Sequence, residues 1–339
     1  MALKDIAREA GVSIATVSYV LNGSGHVSEA TRKKILKLAE KYDYSIRPPR
    51  CTRPVSTNTI GVLVEDIRIW CVPGIVQGIT QFAEANGKHV ILSGLGMIDK
   101  IHDQFDRIVE YKTEINDAIR VLLGAKVDGI IFVGMHDRNV DNIIKKINKP
   151  LVYTYCYTDN PEDIIVGYNN MEISREIGSY LAGLGHKKIG VISGAYANRC
   201  AHVRFCGFEK AMKDHGIVFD NRYLRIADWS MEAGYRAAME LLQMDNRPTA
   251  IYAMNDELAM GVIWAARQCG ISVPGQLSVV GFDNREFSRY VSPSITTVQM
   301  PWEEMGSRAA KAIYQVLEGS KPNNYENIIP CKMILREST

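Results

Sequence analysis

At 339 residues the chain is too long for one simple core and is sized for two or three domains. Its 46% hydrophobic content excludes a wholly disordered chain. The net charge of +2 hides an uneven distribution: residues 1–57 hold ten Lys/Arg against five Asp/Glu, a net of +5, and the remainder is at −3. A basic head on a slightly acidic body suits polyanion binding, although Arg32, Lys33, Lys34 and Lys37 also fit a solvated helix face. The seven cysteines (51, 71, 156, 200, 206, 269 and 331) are odd in number with no C-x-x-C pair, which argues against a disulfide framework and a cysteine zinc site. Met1-Ala2-Leu3-Lys4-Asp5 opens no apolar export segment, and no run is long enough to span a membrane, so a reduced, soluble, cytoplasmic protein is expected.

Leu3, Ile6, Ala7 and Ala10 have helical spacing, which Gly11-Val12-Ser13 breaks before a second helical stretch from Ile14 to Leu21. Helix, Gly-containing turn and short helix outline a helix-turn-helix. Gly11 can take positive φ, Val12 can pack between the helices, and Ser13 can cap the second. After Val27, Ser28 can cap a third helix carrying Ile35, Leu38, Ala39 and Tyr42. Residues 45–58, with three prolines and three arginines, read as a basic linker. Beyond it, strand-like runs alternate with amphipathic helices: Ile60–Val64, His89–Ser93, Gly129–Val133, Leu151–Tyr155, Lys188–Ser193, Tyr223–Ala227, Ala250–Met254 and Leu277–Phe282. Such alternation implies parallel sheets covered on both faces. The strands are too many for one sheet, and Tyr157–Asp163 reads as a crossing between two lobes. Ligands are then expected in the cleft, at the carboxyl ends of the strands.

Ile6-Ala7-Arg8-Glu9-Ala10-Gly11-Val12-Ser13, Ala15-Thr16-Val17-Ser18, Val20-Leu21-Asn22-Gly23 and Val27-Ser28 closely resemble the lactose-repressor/galactose-repressor (LacI/GalR) family of bacterial regulators. The resemblance continues through Asn58-Thr59-Ile60-Gly61-Val62, Val127-Asp128-Gly129-Ile130-Ile131, Gly185-His186-Lys187-Lys188-Ile189-Gly190 and Ser278-Val279-Val280-Gly281-Phe282-Asp283-Asn284 to the terminal Leu335-Arg336-Glu337-Ser338-Thr339. It implies an N-terminal all-α helix-turn-helix head (1–46), a hinge (47–58) and an α/β core of two Rossmann-like, periplasmic-binding-protein-like lobes (59–339). The lobes are expected at 59–156 plus 287–318 and 157–286 plus 319–339. The implied partners are double-stranded operator DNA, a small-molecule effector and a second copy of the chain. The ending at Thr339, without a further leucine-rich helix, favours a homodimer over a tetramer.

In the family the second helix enters the major groove, which places Ile14, Ala15 and Tyr19 at base edges. Ile14 and Ala15 offer apolar contact, as to a thymine methyl, and Tyr19 stands where many members have an Arg able to grip guanine. Ser13, Thr16, Ser18, Asn22, His26 and Thr31 resemble the family's phosphate-contacting positions. Ser13 is also a plain helix cap and Tyr19 also a packing residue. The family's hinge helix wedges a Leu into the minor groove; residues 47–57 contain no Leu, and Pro48, Pro49 and Pro54 disfavour a helix. Arg50 and Arg53 are expected to hold DNA instead, with Arg47 beside them.

Four positions match the family's ligand-contacting motifs: Arg204, Trp229, Asn255 and Asp283. A flat ring with Arg, Asn and Asp is sugar-site chemistry, in which C–H faces stack and hydroxyls need paired partners. Singly, the four are also readable as a surface ion-pair partner, a core residue, a helix cap and a loop cap. Asp66 and Trp70 follow the first strand of the core and are expected to face the cleft, although Arg68-Ile69-Trp70-Cys71 departs from the family's Asn-Pro-Phe. A purine-type corepressor is the alternative ligand, poorly matched by Asn198, Cys200 and His202. An enzyme is disfavoured: Gly94-Leu95-Gly96-Met97-Ile98-Asp99 lacks the third Gly of a dinucleotide loop, and no nucleophile, hydrolase or Walker pattern appears. No catalytic residue, metal or cofactor is expected. A sugar-binding transport protein would share the body but need an export signal and no DNA head.

Overall fold

The computed structural model describes residues 3–21, 27–42, 57–102, 104–194, 198–320, 322–323 and 327–339. Its contacts divide the chain into two units, 1–56 and 57–339.

The first unit contains α1 (Leu3–Ala10), α2 (Ile14–Leu21) and α3 (Glu29–Lys41). Ile6, Ala7 and Ala10 meet Val17, Val20 and Leu21, and Ile35 and Ala39 close the core. Gly11 adopts φ +72°, the left-handed geometry the turn requires. Ser13 Oγ accepts from Thr16 N at 3.1 Å, and Ser28 Oγ from Thr31 N at 3.3 Å, so each starts its helix as a side-chain cap.

The second unit begins with β1 (Thr59–Val64), α4 (Val72–Ala85), β2 (His89–Gly94), α5 (Ile98–Ile101), α6 (Lys112–Gly124), β3 (Gly129–Val133), β4 (Leu151–Thr154) and β5 (Ile164–Tyr168). It continues with α7 (Asn170–Gly183), β6 (Ile189–Ser193), α8 (Arg199–Asp214), β7 (Leu224–Ile226), α9 (Met231–Leu242), β8 (Ala250–Ala253), α10 (Asp256–Gln268) and β9 (Ser278–Val280). It ends with β10 (Thr297–Gln299), α11 (Trp302–Leu317), β11 (Ile328–Ile329) and β12 (Lys332–Ile334).

The larger sheet has the order β11-β5-β4-β3-β1-β2 and the smaller β7-β6-β8-β9, with every pairing parallel. β10 and β12 form a separate antiparallel ribbon. In the first lobe α4 and α11 cover one face of the larger sheet around Ile75, Ile79, Met305 and Ile313, while Ile115, Ile119 and Leu122 of α6 cover the other. In the second, α7 and α8 pack around Phe208 and Tyr252, and α9 and α10 around Leu241 and Val262.

Three expected lobe limits are corrected. Ile164–Tyr168 was expected beyond the first crossing, but β5 pairs with β4 in the larger sheet, so the chain crosses after Tyr168 rather than at 156/157. Residues 287–301 were expected in the first lobe, but Thr296 bridges Val280 and β10 pairs with β12, so the return crossing precedes Trp302. Residues 319–339 were expected in the second lobe, but β11 pairs with β5 and belongs to the first, so the third crossing falls after Ile329 rather than at 318/319.

Candidate functional site

In the first unit α2 buries Val17, Val20 and Leu21, which turns Ile14, Ala15 and Tyr19 outward. Ile14 is 53% exposed and Tyr19 52%, so the packing reading of Tyr19 does not apply. Thr16, Ser18 and Thr31 are half-buried, and the Ser13 and Ser28 hydroxyls lie 2.8 Å from those of Thr16 and Thr31. Asn22, His26, Arg50 and Arg53 lie outside the described residues.

In the second unit the cleft-facing loops follow the carboxyl ends of parallel strands. Arg204, on α8, is buried: Nε donates to Asn170 Oδ1 at 2.9 Å, Nη1 donates to the Met254 carbonyl, and Nη2 lies 3.9 Å from Asp283 Oδ1. Its guanidinium stacks 3.5 Å from the centre of the Phe282 ring. Asp283 follows β9 with φ +103°. Burial pushes its carboxyl up to about 8 against the opposing pull of Arg204, so the acid is largely protonated near neutrality. Trp229 lies against Gly194, where a Cβ would come within 2.1 Å of the indole, so a residue without a side chain is needed there. Asn255 caps α10, accepting from Leu258 N at 2.7 Å, and its Nδ2 donates to the Trp229 carbonyl at 2.9 Å. Its amide therefore fixes the backbone that carries Trp229.

Asp66 is placed differently from the expectation. It is buried, and its carboxylate accepts from Arg68 N and Nε at 3.0 Å, from Arg68 Nη2 at 2.9 Å and from Ile98 N at 2.9 Å. The Arg68 bonds above all hold its pKa down at about 2. With these bonds made, Asp66 locks the loop after β1 rather than presenting a free acceptor to a ligand. Trp70 does reach the interlobe face: it meets Trp302 edge-on at 5.4 Å, and Arg285 of the second lobe sits 4.8 Å above its ring.

Several participants escaped the sequence reading. Asp256, at the start of α10, accepts from Arg285 N at 2.7 Å and from the Thr297 hydroxyl, so it anchors the loop bearing Asp283; burial pushes it up to about 7. Asp137 of the first lobe accepts from Asn170 at 3.3 Å and pairs with Arg199 at 3.5 Å, both of the second. A cavity of about 740 Å³ lies beside this bridge, lined among others by Asp137, Tyr155, Tyr157, Tyr168, Asn170 and Arg199. Arg204, Trp229, Asn255 and Asp283 are not among its lining residues; Asn170 joins it to Arg204. Glu65 and Arg138 form an ion pair at 2.7 Å beneath the first-lobe side of the cleft. Only the Asp66-x-Arg68 pairing has a local sequence signal; the others join residues far apart in the chain.

The models of two families match: bacterial regulatory proteins, lacI family, over residues 2–46, and the periplasmic binding protein-like domain over 179–339. The chain is 30% identical over 339 residues to the HTH-type transcriptional repressor CytR of Escherichia coli (strain K12), covering 99% of this chain and 96% of that protein. It is 28% identical over 345 residues to the ribose operon repressor of Haemophilus influenzae, covering 99% and 98%. Among solved structures, the Lac repressor dimer bound to operator and the anti-inducer ONPF matches with a TM-score of 0.68 at 24% identity, covering 100% of this chain and 98% of that one, a likeness of fold. With its three-helix head, two-lobed body and end-to-end kinship to a named repressor, the chain belongs to the LacI family of bacterial regulatory proteins and is a ligand-responsive, DNA-binding transcriptional regulator.

Proposed function

We propose that the protein is a cytoplasmic repressor of carbohydrate-utilisation genes. It binds a two-fold operator at the nucleoid as a homodimer, senses a sugar between the lobes, and carries out no catalysis. The observation that carries the sugar reading is the Arg204–Asp283 pair, 3.9 Å apart, with Arg204 within α8 and Asp283 in the loop after β9, together with an indole held on Gly194. Arg204 donates to ligand oxygens, Asp283 exchanges hydrogen bonds with hydroxyls, and Trp229 stacks on a C–H face. Asn255 positions Trp229, and Trp70 lies at the rim. In the head, Ile14, Ala15 and Tyr19 read bases while Ser13, Thr16, Ser18, Asn22, His26 and Thr31 hold phosphates, with Arg50 and Arg53 adding hinge contacts. The ribose operon repressor and the operator-bound Lac repressor dimer support the sugar and dimer readings by kinship.

Sugar binding alters lobe closure and thereby the spacing of the two heads, which requires different affinities for the two closure states. The test is a thermal-shift screen of sugars and purines, followed by binding to duplexes selected from random-sequence DNA. Salt-dependent binding to a two-fold sequence, changed by a sugar, is the expected result. A response to purines alone would overturn the sugar reading. The residues that a purine-type pocket would recruit are otherwise engaged: Asn198 caps α8, and Cys200 is buried against it.

A further inference from the structure

Arg138 follows β3, Glu65 follows β1, and these two strands are neighbours in the larger sheet. The pair therefore sits at the carboxyl end of the sheet, where the first lobe faces the cleft. Glu65 is fully buried and satisfied on both oxygens: Oε1 by Arg138 Nη2 at 2.7 Å and Oε2 by Met135 N at 2.8 Å. Arg138 is not satisfied. Its side chain is only 11% exposed, yet Nε and Nη1 are shielded from solvent and have no hydrogen-bond partner among the described residues. These two nitrogens carry three of the five N–H donors of a guanidinium. Buried donors left unmade are expensive, more so on a charged group, and a native protein that keeps them needs a reason.

The surroundings indicate what those donors await. The segment carrying Arg138 touches the second lobe, through the contact of His136 with Asn198 and through Asp137 with Asn170 and Arg199. Burial, then Arg138, then Arg204 push the His136 pKa down, to about 4, so two guanidiniums from opposite lobes act on one imidazole that stays neutral. Glu65 offsets Arg138 and Asp137 lies against Arg199, while Arg204 meets Asp283 only at 3.9 Å, too far for a direct hydrogen bond. Fixed positive charge and unused donors in a desolvated site favour an oxyanion over a neutral hydroxyl.

We infer that the effector is an acidic sugar, its carboxylate or phosphate gripped by Arg138 from the first lobe while Arg204 holds it from the second. This rests on the sugar reading above and adds the chemical class and the specificity residue. The test uses the full-length chain with D-gluconate, D-galacturonate and glucose 6-phosphate against glucose and galactose, by thermal shift and calorimetric titration. At least one acid should raise Tm where its neutral parent at equal concentration does not, and the carboxylate and phosphate arms identify which oxyanion is bound. Arg138→Gln should weaken that acid by about tenfold to a hundredfold. Because this substitution strands Glu65, the doubly neutral Glu65→Gln/Arg138→Gln variant is measured beside it, with unfolding monitored to show that the fold is kept; it should lose the same affinity. Equal binding of the neutral parents, no shift from any acid, or full affinity in the double variant overturns the inference. Stabilisation by neutral sugars alone overturns it and leaves the sugar reading standing, whereas stabilisation by hypoxanthine or guanine alone overturns both.

Discussion

Tyr19 and Ile14 stand about half exposed on a helix whose opposite face supplies the head's core, so truncating either leaves that core intact. Tyr19→Ala should therefore leave the melting temperature unchanged and weaken operator binding by about tenfold or more, the scale of one base contact. A mobility shift with a selected duplex checks this, and unchanged affinity would remove Tyr19 from the reading surface. Asp256 and Asp283 set a second residue-scale expectation. Their folded pKa values are raised to about 7 and about 8, whereas an unfolded Asp ionises near about 4. Between those limits the native chain binds more protons than the unfolded one, so stability falls as pH rises. His136 opposes this at lower pH: held down at about 4, it favours unfolding below about pH 6.5, where an unfolded imidazole charges. Asp137, also raised by burial, adds to the Asp256 and Asp283 trend, while Arg204, Arg285 and Arg336 moderate it. From pH 6.5 to 8 the unfolding free energy from urea titrations should thus decline, by at most about 1.4 kcal/mol per pH unit for each proton. Asp283→Asn should flatten the upper part of that decline, and a flat wild-type profile would contradict it.

Helix pairs in the core approach closely enough that glycine is required at their crossing points. A Cβ on Gly78 of α4 would stand 1.8 Å from the Glu303 carbonyl oxygen, and one on Gly306 of α11 would stand 1.9 Å from that of Ile75. Both obstacles are backbone, so the helices themselves must separate. Gly78→Ala should lower stability by about 1–3 kcal/mol, the usual range for overpacking, as read by urea unfolding; wild-type stability would show that α4 and α11 can part freely. At this scale much of the fold was legible, because helices and buried parallel strands leave periodic or continuous apolar runs. β5 escaped: Ile164–Tyr168 directly follows the polar Asp159–Asp163 stretch, and nothing local says which sheet the run joins. β11 spans two residues and β10 and β12 three each, too short to show a period. The site divided along the same line. The motifs name Arg204, Trp229, Asn255 and Asp283, of which the structure brings Arg204 to Asp283 and Asn255 to Trp229, whereas the Glu65–Arg138 pair spans 73 positions and has only a tertiary signature. Asp66 was misread because its local partner Arg68 satisfies the carboxylate, an interaction that outweighs its position at a strand end.

At the scale of the whole molecule, charge and aromatic contacts tie the lobes, among them Asp137 with Arg199 and Trp70 with Arg285. These ties let a ligand that changes lobe closure change other surfaces of the body. The surfaces best suited to a second copy are apolar and uncovered. β2 is an edge strand with Ile91 and Leu92 exposed, and Trp264 of α10 is half exposed beside Tyr235 of α9, their rings 5.7 Å apart. An open apolar edge strand invites pairing or aggregation unless something covers it. Sedimentation should therefore find a dimer at operator-binding concentrations. Leu92→Lys and Trp264→Glu should shift it toward monomer, since each places a charge where apolar surface would be desolvated. Linking two half-site contacts raises effective affinity by about 10²–10⁴, so a monomer should lose operator binding by at least about a hundredfold. Its thermal shift with effector should persist, because neither residue touches Arg204, Asp283 or Arg138 among the contacts described. A monomeric wild type that binds a two-fold operator at full strength would refute this arrangement, and loss of DNA and effector binding together would show that the substitutions act on the fold of the body instead of on its assembly.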